Sequence, residues 1–248
     1  MKYLFLGIIQ GLTEFLPISS SGHLVILKHW INLQSEGVVM EVSLHFATLL
    51  AIIIFFRKKF PAYANKEKIA LIIVGTIPIA LIGVLFKDKI QSLFNNYLLV
   101  TMTLSLTGLI LFLSKKSKET EENINLKMAF LIGLAQALAL TPGISRSGIT
   151  VATALFLGIK RKNAFEFSFI LAIPALLGAF IINVPDIYGT EIELLNLITG
   201  GLFAFLAGLL ALWIFYKIIL NKDLYLFSYY LWVLAATSLI LFLTVQTH

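Results

Sequence analysis

The chain has 248 residues, 59% hydrophobic and 13% charged, with a formal charge of +6 and no cysteine. So few polar groups cannot cover the outside of a soluble domain of this length, which excludes that class and makes the bilayer the solvent. Disulfides, thiolate chemistry and Cys-ligated metals are excluded too, and the basic residues fall in short clusters between apolar runs, a pattern of the positive-inside rule rather than of nucleic-acid binding.

The mean hydropathy of +0.94 agrees. The first apolar stretch, Tyr3 to Ile31, follows only Lys2, holds Gln10 and Glu14 and lacks a small-residue cleavage site, so it is not read as a signal peptide. Pro17 and the Ser19-Ser20-Ser21-Gly22 run interrupt it, because Pro removes a backbone donor and Gly and Ser favour irregular backbone. A full span containing Ser43 to Ile54 comes next, then a basic link with Arg57, Lys58, Lys59, Lys66 and Lys68. A further span and the Lys87-Asp88-Lys89 link lead to the apolar run Tyr97 to Leu113. The most polar stretch, Ser114 to Lys127, carries Lys115, Lys116, Lys118 and Lys127. Met128 to Ile159 is the second broken segment, interrupted at Pro142-Gly143 and closed by Lys160-Arg161-Lys162. The remaining runs, Leu195 to Phe215 and Leu224 to Leu243, approach the ~20 residues that cross a hydrocarbon core. An acidic link with Asp186, Glu191 and Glu193 precedes them, and Lys217 and Lys222 lie between them. Glu36 marks an acidic link early in the chain.

The two halves resemble each other. A shift of 126 residues lays Gly7 on Gly133, Gln10 on Gln136, Ile18 on Ile144, Ser19 on Ser145, Ser21 on Ser147 and Gly22 on Gly148. Ser43 to Ile54 also resembles Ser168 to Ala179 at one residue less. Irregular backbone at membrane depth is tolerated only where protein or a water-filled cavity surrounds it, which suits hairpins that enter and return on one side. If both broken segments are re-entrant, every basic link lands on the cytoplasmic side; if each spans fully, Lys160-Arg161-Lys162 lands opposite the central link. The expected fold is an all-α integral membrane protein, one membrane domain over residues 1–248. It is an inverted-topology repeat, 1–114 and 127–248, each half holding one re-entrant helical hairpin and three transmembrane helices.

Ionisable residues inside apolar segments are expensive and mark candidate sites. Gln10 and Glu14 share one face of a helix, four residues apart, and such an oxygen pair suits a hard divalent cation that also binds phosphate oxygens. The plain alternative for Gln10 is an interhelical hydrogen bond. Arg146, flanked by Ser145 and Ser147 and followed by Thr150, has the makings of an anion cradle; its plain alternative is an ion pair, with Glu14 as one candidate partner. Ser19 and Ser21 offer similar hydroxyls in the first break. Ser20 and His23 are three apart, so a helical turn would bring them together. Ser20 is then a candidate nucleophile with His23 or Glu14 as proton acceptor, and His23 or a metal-bound water is the alternative attacking group. His45, Gln136 and Glu166 read as packing or interfacial groups, His29, Trp30, Trp213 and Trp232 as headgroup-level residues, and Asp186 to Glu193 as a solvated loop.

At the two breaks the chain resembles the bacterial undecaprenyl-pyrophosphate phosphatase family of the bacitracin-resistance type. That family's Gln/Glu-x-x-x-Glu pair and Pro-x-Ser-Ser-x-Gly-His stretch are matched by Gln10, Glu14 and Pro17 to His23, its Pro-Gly-x-Ser-Arg-Ser-Gly by Pro142 to Gly148. The match continues through Glu166-Phe-Ser-Phe and Leu171-Ala-Ile-Pro174. The resemblance implies metal-assisted hydrolysis of a C55 isoprenoid pyrophosphate, with Mg2+ or Ca2+, at a site open to the extracytoplasmic face of the bacterial cell (inner) membrane. It also implies recycling of the cell-wall lipid carrier. It places Gln10 and Glu14 in the metal pair and Glu14, Ser20, His23 and Arg146 in the catalytic set. The first position of the pair is Gln, which the family allows and which leaves more weight on Glu14. Expected partners are the polyprenyl pyrophosphate lipid and the bilayer, with no nucleic acid and a homodimer as the oligomer to test. The competing class is an inverted-repeat transporter or flippase of an anion or polyprenyl phosphate. A non-catalytic receptor for lipid-linked precursors is the third, weakened by the candidate nucleophile.

Overall fold

In a computed structural model, residues 2–30, 38–183, 193–221 and 223–246 are described, and they are helical apart from short turns and one isolated backbone bridge. The side chains of His29 and Trp30, and all of Glu36, Asp186, Glu191 and Lys222, lie outside what is described. Two short helices, α1 (Lys2–Phe15) and α2 (Ser20–Trp30), flank the first break, and α3 (Val38–Phe56) follows. The four-residue α4 (Phe60–Tyr63) leads into α5 (Lys66–Leu85), and the short α6 (Lys87–Leu93) into α7 (Tyr97–Leu113). The second break lies between α8 (Leu126–Leu138) and α9 (Arg146–Phe156), and α10 (Arg161–Asn183), α11 (Leu194–Leu220) and α12 (Leu226–Gln246) complete the chain. Neither α4 nor α6 has a sequence signal beyond charge-rich links.

Five helices, α5, α7, α10, α11 and α12, are long and apolar enough to cross a membrane, and α3 adds an apolar stretch at 42–56. The chain is an all-α, multi-pass integral membrane protein. Its outward faces are what such a protein needs: Ile69, Ile73, Ile77 and Leu81 form an exposed stripe along α5. Inside, a cluster of rings packs within a largely aliphatic core. Phe15 of α1 meets Phe169 of α10 edge-on at 5.8 Å, and Phe165 meets Phe215 of α11 at 5.5 Å.

The basic links gather on one face. Lys160 N–H donates to Glu121 O and Thr120 N–H to Gly158 O, tying the central link to the turn after α9. Lys160 also pairs with Glu122, and Arg161 Nε with Glu119 at 3.0 Å. The Lys59 ammonium reaches Glu166 at 2.6 Å, and Lys115 lies 4.3 Å over the Tyr225 ring beyond the end of α11. α8 therefore leaves this face, and α9 returns to it. Glu166, expected as a packing or interfacial group, is a partner in an ion pair.

Helix direction is set by close glycine crossings. Gly7 lies against Gly200 and Ala204, and Gly11 against Ala204 and Gly208, so α1 runs parallel to α11 toward the basic face. α8 starts at that face and crosses α5 through Gly133 and Gly75. A Cβ on Gly7 would stand 2.3 Å from Gly200 O, and one on Gly133 2.2 Å from Gly75 O. Trp232, expected at headgroup level, instead donates from Nε1 to Ser105 O at 3.2 Å and packs over Gly108, joining α12 to α7. Trp213 is exposed, with the Lys217 ammonium 6.0 Å from its ring.

Gly133→Ala forces α8 and α5 apart and lowers stability by roughly 1–3 kcal/mol, as overpacking does. Gly178→Ala, where a Cβ has nothing within 4 Å, leaves the melting temperature in detergent at or above the wild-type value. Equal melting temperatures for the two variants would contradict the crossing.

Candidate active site

Both breaks end a helix early and start another with a serine cap. Ser19 has φ +67 and Gly143 φ +89, left-handed conformations that let the chain reverse within a few residues. At Gly143 a side chain is excluded as well, since a Cβ would lie 2.0 Å from Thr103 Oγ1. Ser19 Oγ accepts from Gly22 N–H and Ser145 Oγ from Gly148 N–H, each at 3.2 Å, so the matched serines are N-caps of α2 and α9. Ser19 and Ser21 hydroxyls meet at 3.2 Å, as do Ser145 and Ser147.

The breaks also clasp each other. Gly143 N–H donates to Ser21 Oγ at 3.3 Å, and Ser147 Oγ donates to Leu16 O at 3.3 Å. From α7, Thr103 Oγ1 donates to Pro142 O at 2.6 Å and Thr107 Oγ1 to Gly143 O at 3.0 Å. Carbonyls freed by the broken helices thus find partners inside the protein. The hydroxyls expected to bind phosphate, Ser19, Ser21, Ser145 and Ser147, all take part in this framework, and Thr150 Oγ1 donates to Arg146 O at 2.8 Å. Spacing alone does not separate a framework hydroxyl from a ligand-binding one.

Glu14 lies at the centre of the clasp with its side chain 7% exposed. Its Oε1 accepts from Arg146 Nη2 at 2.9 Å across the two hairpins. Its Oε2 accepts from Ser20 Oγ at 2.7 Å and from Gln10 Nε2 at 3.2 Å. The ion-pair alternative for Arg146 is therefore present, yet it occupies only one end of the guanidinium: Nη1 is buried with no hydrogen-bond partner. Gln10 Oε1 is buried and unpartnered in the same way.

His23 is placed differently from expectation. Its Nδ1 lies 2.8 Å from Ser19 O, an acceptor only, so Nδ1 carries the proton. Nε2 is then the acceptor of a 2.6 Å bond from the Tyr230 hydroxyl of α12, whose ring stacks on the imidazole at 5.7 Å. The turn of helix brings Ser20 to Glu14 and turns His23 toward Tyr230. Of the two proton acceptors offered for Ser20, Glu14 is the one within reach.

Two residues of this neighbourhood lie outside the site expected from the sequence. His45 of α3, taken as a packing or interfacial group, has Nε2 3.8 Å from Glu14 Oε2. The signal was there: it is an ionisable group inside an apolar run, as Glu14 is. Tyr230 carries no such signal in the apolar run of α12. Gln136, matched to Gln10 and expected as a packing or interfacial group, is fully buried with neither amide atom hydrogen-bonded, the packing alternative of the two.

Among the described residues no three His, Asp or Glu side chains gather into a metal cluster. Gln10 Oε1 and the Glu14 carboxylate do offer hard oxygen donors one turn apart. A cation that keeps waters and takes substrate phosphates as ligands, as Mg2+ does, needs only one or two such groups, so the chemistry of the pair is compatible with such a cation.

Comparison with known proteins agrees with the motifs. The family model of bacitracin resistance protein BacA matches residues 3–237. An undecaprenyl-diphosphatase of Halothermothrix orenii is 39% identical over 97% of this chain and 97% of its own length. Those of Carboxydothermus hydrogenoformans and Thermosipho africanus are 40% and 41% identical, over 96% and 93% of this chain and 95% of each relative. With a full-length match of that kind laid over both breaks, the chain belongs to the bacitracin resistance protein BacA family.

Proposed function

We propose that the chain is an undecaprenyl-diphosphatase, hydrolysing undecaprenyl pyrophosphate to undecaprenyl phosphate and inorganic phosphate. The reaction regenerates the lipid carrier of cell-wall synthesis, and bacitracin resistance follows from the family's name. One observation carries the chemistry. A single buried carboxylate, Glu14, holds both the Ser20 hydroxyl and the Arg146 guanidinium, and Arg146 keeps a buried Nη1 donor without a partner.

The terminal phosphate docks on Arg146 Nη1, with charge-assisted donors favouring an anion there. Ser20 Oγ attacks the terminal phosphorus and its proton passes to Glu14 Oε2, already 2.7 Å away. The bond from that phosphorus to the bridging oxygen breaks, and undecaprenyl phosphate leaves with the electron pair. Water then cleaves the phosphoserine, restoring Ser20 and releasing phosphate. Ser20 is preferred to His23 as the attacking group because His23 Nε2 is occupied by Tyr230. Gln10 and Glu14 would hold a divalent cation, which would supply charge stabilisation to the phosphoryl oxygens. His45, beside Glu14, orients that carboxylate.

The fold is, in this reading, an inverted repeat of units 1–114 and 127–248. Its support is reciprocity: Gly7 on Gly200 mirrors Gly133 on Gly75, and Gly22 against Gly143 mirrors Gly148 against Pro17. α1 runs toward the basic face and α8 away from it, as expected of units with three spanning helices each. By the positive-inside rule the basic face is cytoplasmic, in the bacterial cell membrane, and the catalytic breaks serve the extracytoplasmic side.

Phosphate release from undecaprenyl pyrophosphate by purified protein in detergent tests the site. Glu14→Ala, Arg146→Ala and Ser20→Ala each lower kcat by about a thousandfold or more, with insertion intact, and EDTA abolishes turnover until Mg2+ or Ca2+ is restored. Activity surviving in Glu14→Ala or Arg146→Ala overturns the assignment. Survival in Ser20→Ala alone transfers the attack to water.

Topology has a clean test because the chain lacks cysteine. Membrane-impermeant maleimide labels Lys118→Cys only from the cytoplasmic side, and Ser92→Cys, in α6, only from the outside of intact cells. Labelling of both from one side refutes the inverted arrangement.

A further inference from the structure

A second polar site lies well away from Glu14. At the basic face a cavity of about 1040 Å³ opens where the first turns of α5, α8 and α10 converge. α8 alone separates it from the second break, and 13 helical residues extend about 20 Å. None of its lining residues belongs to the catalytic clasp.

Its lining carries four lysines, Lys59, Lys68, Lys127 and Lys162, against three acids, Glu67, Glu122 and Glu166, an excess of one positive charge. Two of the acids are already committed, Glu166 to Lys59 and Glu122 to Lys160 from outside the lining. Lys68, Lys127 and Lys162 also line the cavity, and among the described residues none of them is in an ion pair. Lys68 lies 4.8 Å over the Tyr63 ring, which fixes the ammonium at the wall. Tyr63 keeps its proton, since burial and then the neighbouring Glu166 charge push its pKa above the usual phenol range, and its hydroxyl remains a donor. Three helix N-termini add positive potential at the same place.

The rim is apolar. Leu126, on the cavity wall, begins an exposed stripe that continues through Phe130, Leu134 and Leu138 on α8. The parallel stripe of α5 starts at Ile69, beside the lining residues Lys68 and Ala70. A charged pocket at the end of two lipid-facing stripes is shaped for an amphiphile with an anionic head.

We propose that this cavity binds the phosphate headgroup of an anionic membrane lipid, whose hydrocarbon chain lies along the outward stripes of α5 and α8. The site is separate from the catalytic clasp and stands whether or not the chain is a phosphatase. A phosphate monoester on a polyprenyl chain and the phosphodiester of phosphatidylglycerol share the recognised chemistry.

Native mass spectrometry of the Arg146→Ala protein in detergent tests it, because the catalytic anion donor is then absent. Phosphatidylglycerol and undecaprenyl phosphate are titrated separately, with zwitterionic phosphatidylcholine and inorganic phosphate as comparisons. Either or both anionic lipids bind at least tenfold more tightly than phosphatidylcholine, and the tighter of the two identifies the source. Adding Lys68→Gln, Lys127→Gln and Lys162→Gln weakens anionic lipid on the order of 100-fold, about fivefold per lysine, and leaves phosphatidylcholine unchanged. The same three positions as Arg retain binding, which separates lost charge from lost fold. Unchanged lipid binding in the Gln variant, equal binding of phosphatidylcholine, or displacement of lipid by equimolar inorganic phosphate would each overturn the proposal.

Discussion

The Glu14–Arg146 pair joins two hairpins 132 residues apart in sequence, and neither charge is tolerable there alone. Taking a carboxylate from water into a low-dielectric interior costs several kcal/mol even after relaxation, and only a well-placed counter-charge with further hydrogen bonds offsets it. Glu14 meets that demand with Arg146, Ser20 and Gln10. The rest of the architecture supplies the places from which these groups reach it. α1 must end just after Glu14 so that Ser20 can turn back, and α8 must end just before Arg146 so that the guanidinium starts a new helix.

Ending helices inside the protein exposes backbone groups, and the serines, glycines and threonines around the breaks answer that cost. Serine caps take the new helices' first N–H groups, Thr103 and Thr107 take the stray carbonyls, and glycines let the breaks touch. The dense hydrogen bonding around Pro17 and Pro142 therefore follows from the buried ion pair. Beside the Glu14 carboxylate this framework leaves one buried donor and one buried acceptor without partners, Arg146 Nη1 and Gln10 Oε1.

The breaks and the apolar spans were legible because membrane physics writes them in composition. Apolar runs have a required length, a Pro-Gly step within one is rare without cause, and Glu14 and Arg146 are conspicuous against Leu and Ile. Side-chain direction was less legible. Ser20 and His23 are close in sequence, yet one faces Glu14 and the other Tyr230 on α12, a helix some 200 residues later whose position no local pattern gives. His45 is visible as an ionisable residue but reads as a packing or interfacial group, because only tertiary packing of α3 brings it to Glu14. Trp232 shows the converse: composition suggests an interfacial ring, and the small Gly108 opposite makes room for it between helices.

The two ends of α8 face different problems. At its C-terminal end, beside the second break, charge is sparse and each charged group is locked by partners. At its N-terminal end the helix meets the headgroup region, where lysines remain hydrated and charge can be plentiful. Of the cavity's cations, Lys127 and Lys162 are exposed, whereas Arg146 is 13% exposed at its side chain. A guanidinium with one end fixed to Glu14 presents its remaining donors in one plane, a fixed geometry. Ammonium groups present charge with little demand on a partner's shape. The Gly133 contact with α5 lies on the helix that joins these two ends.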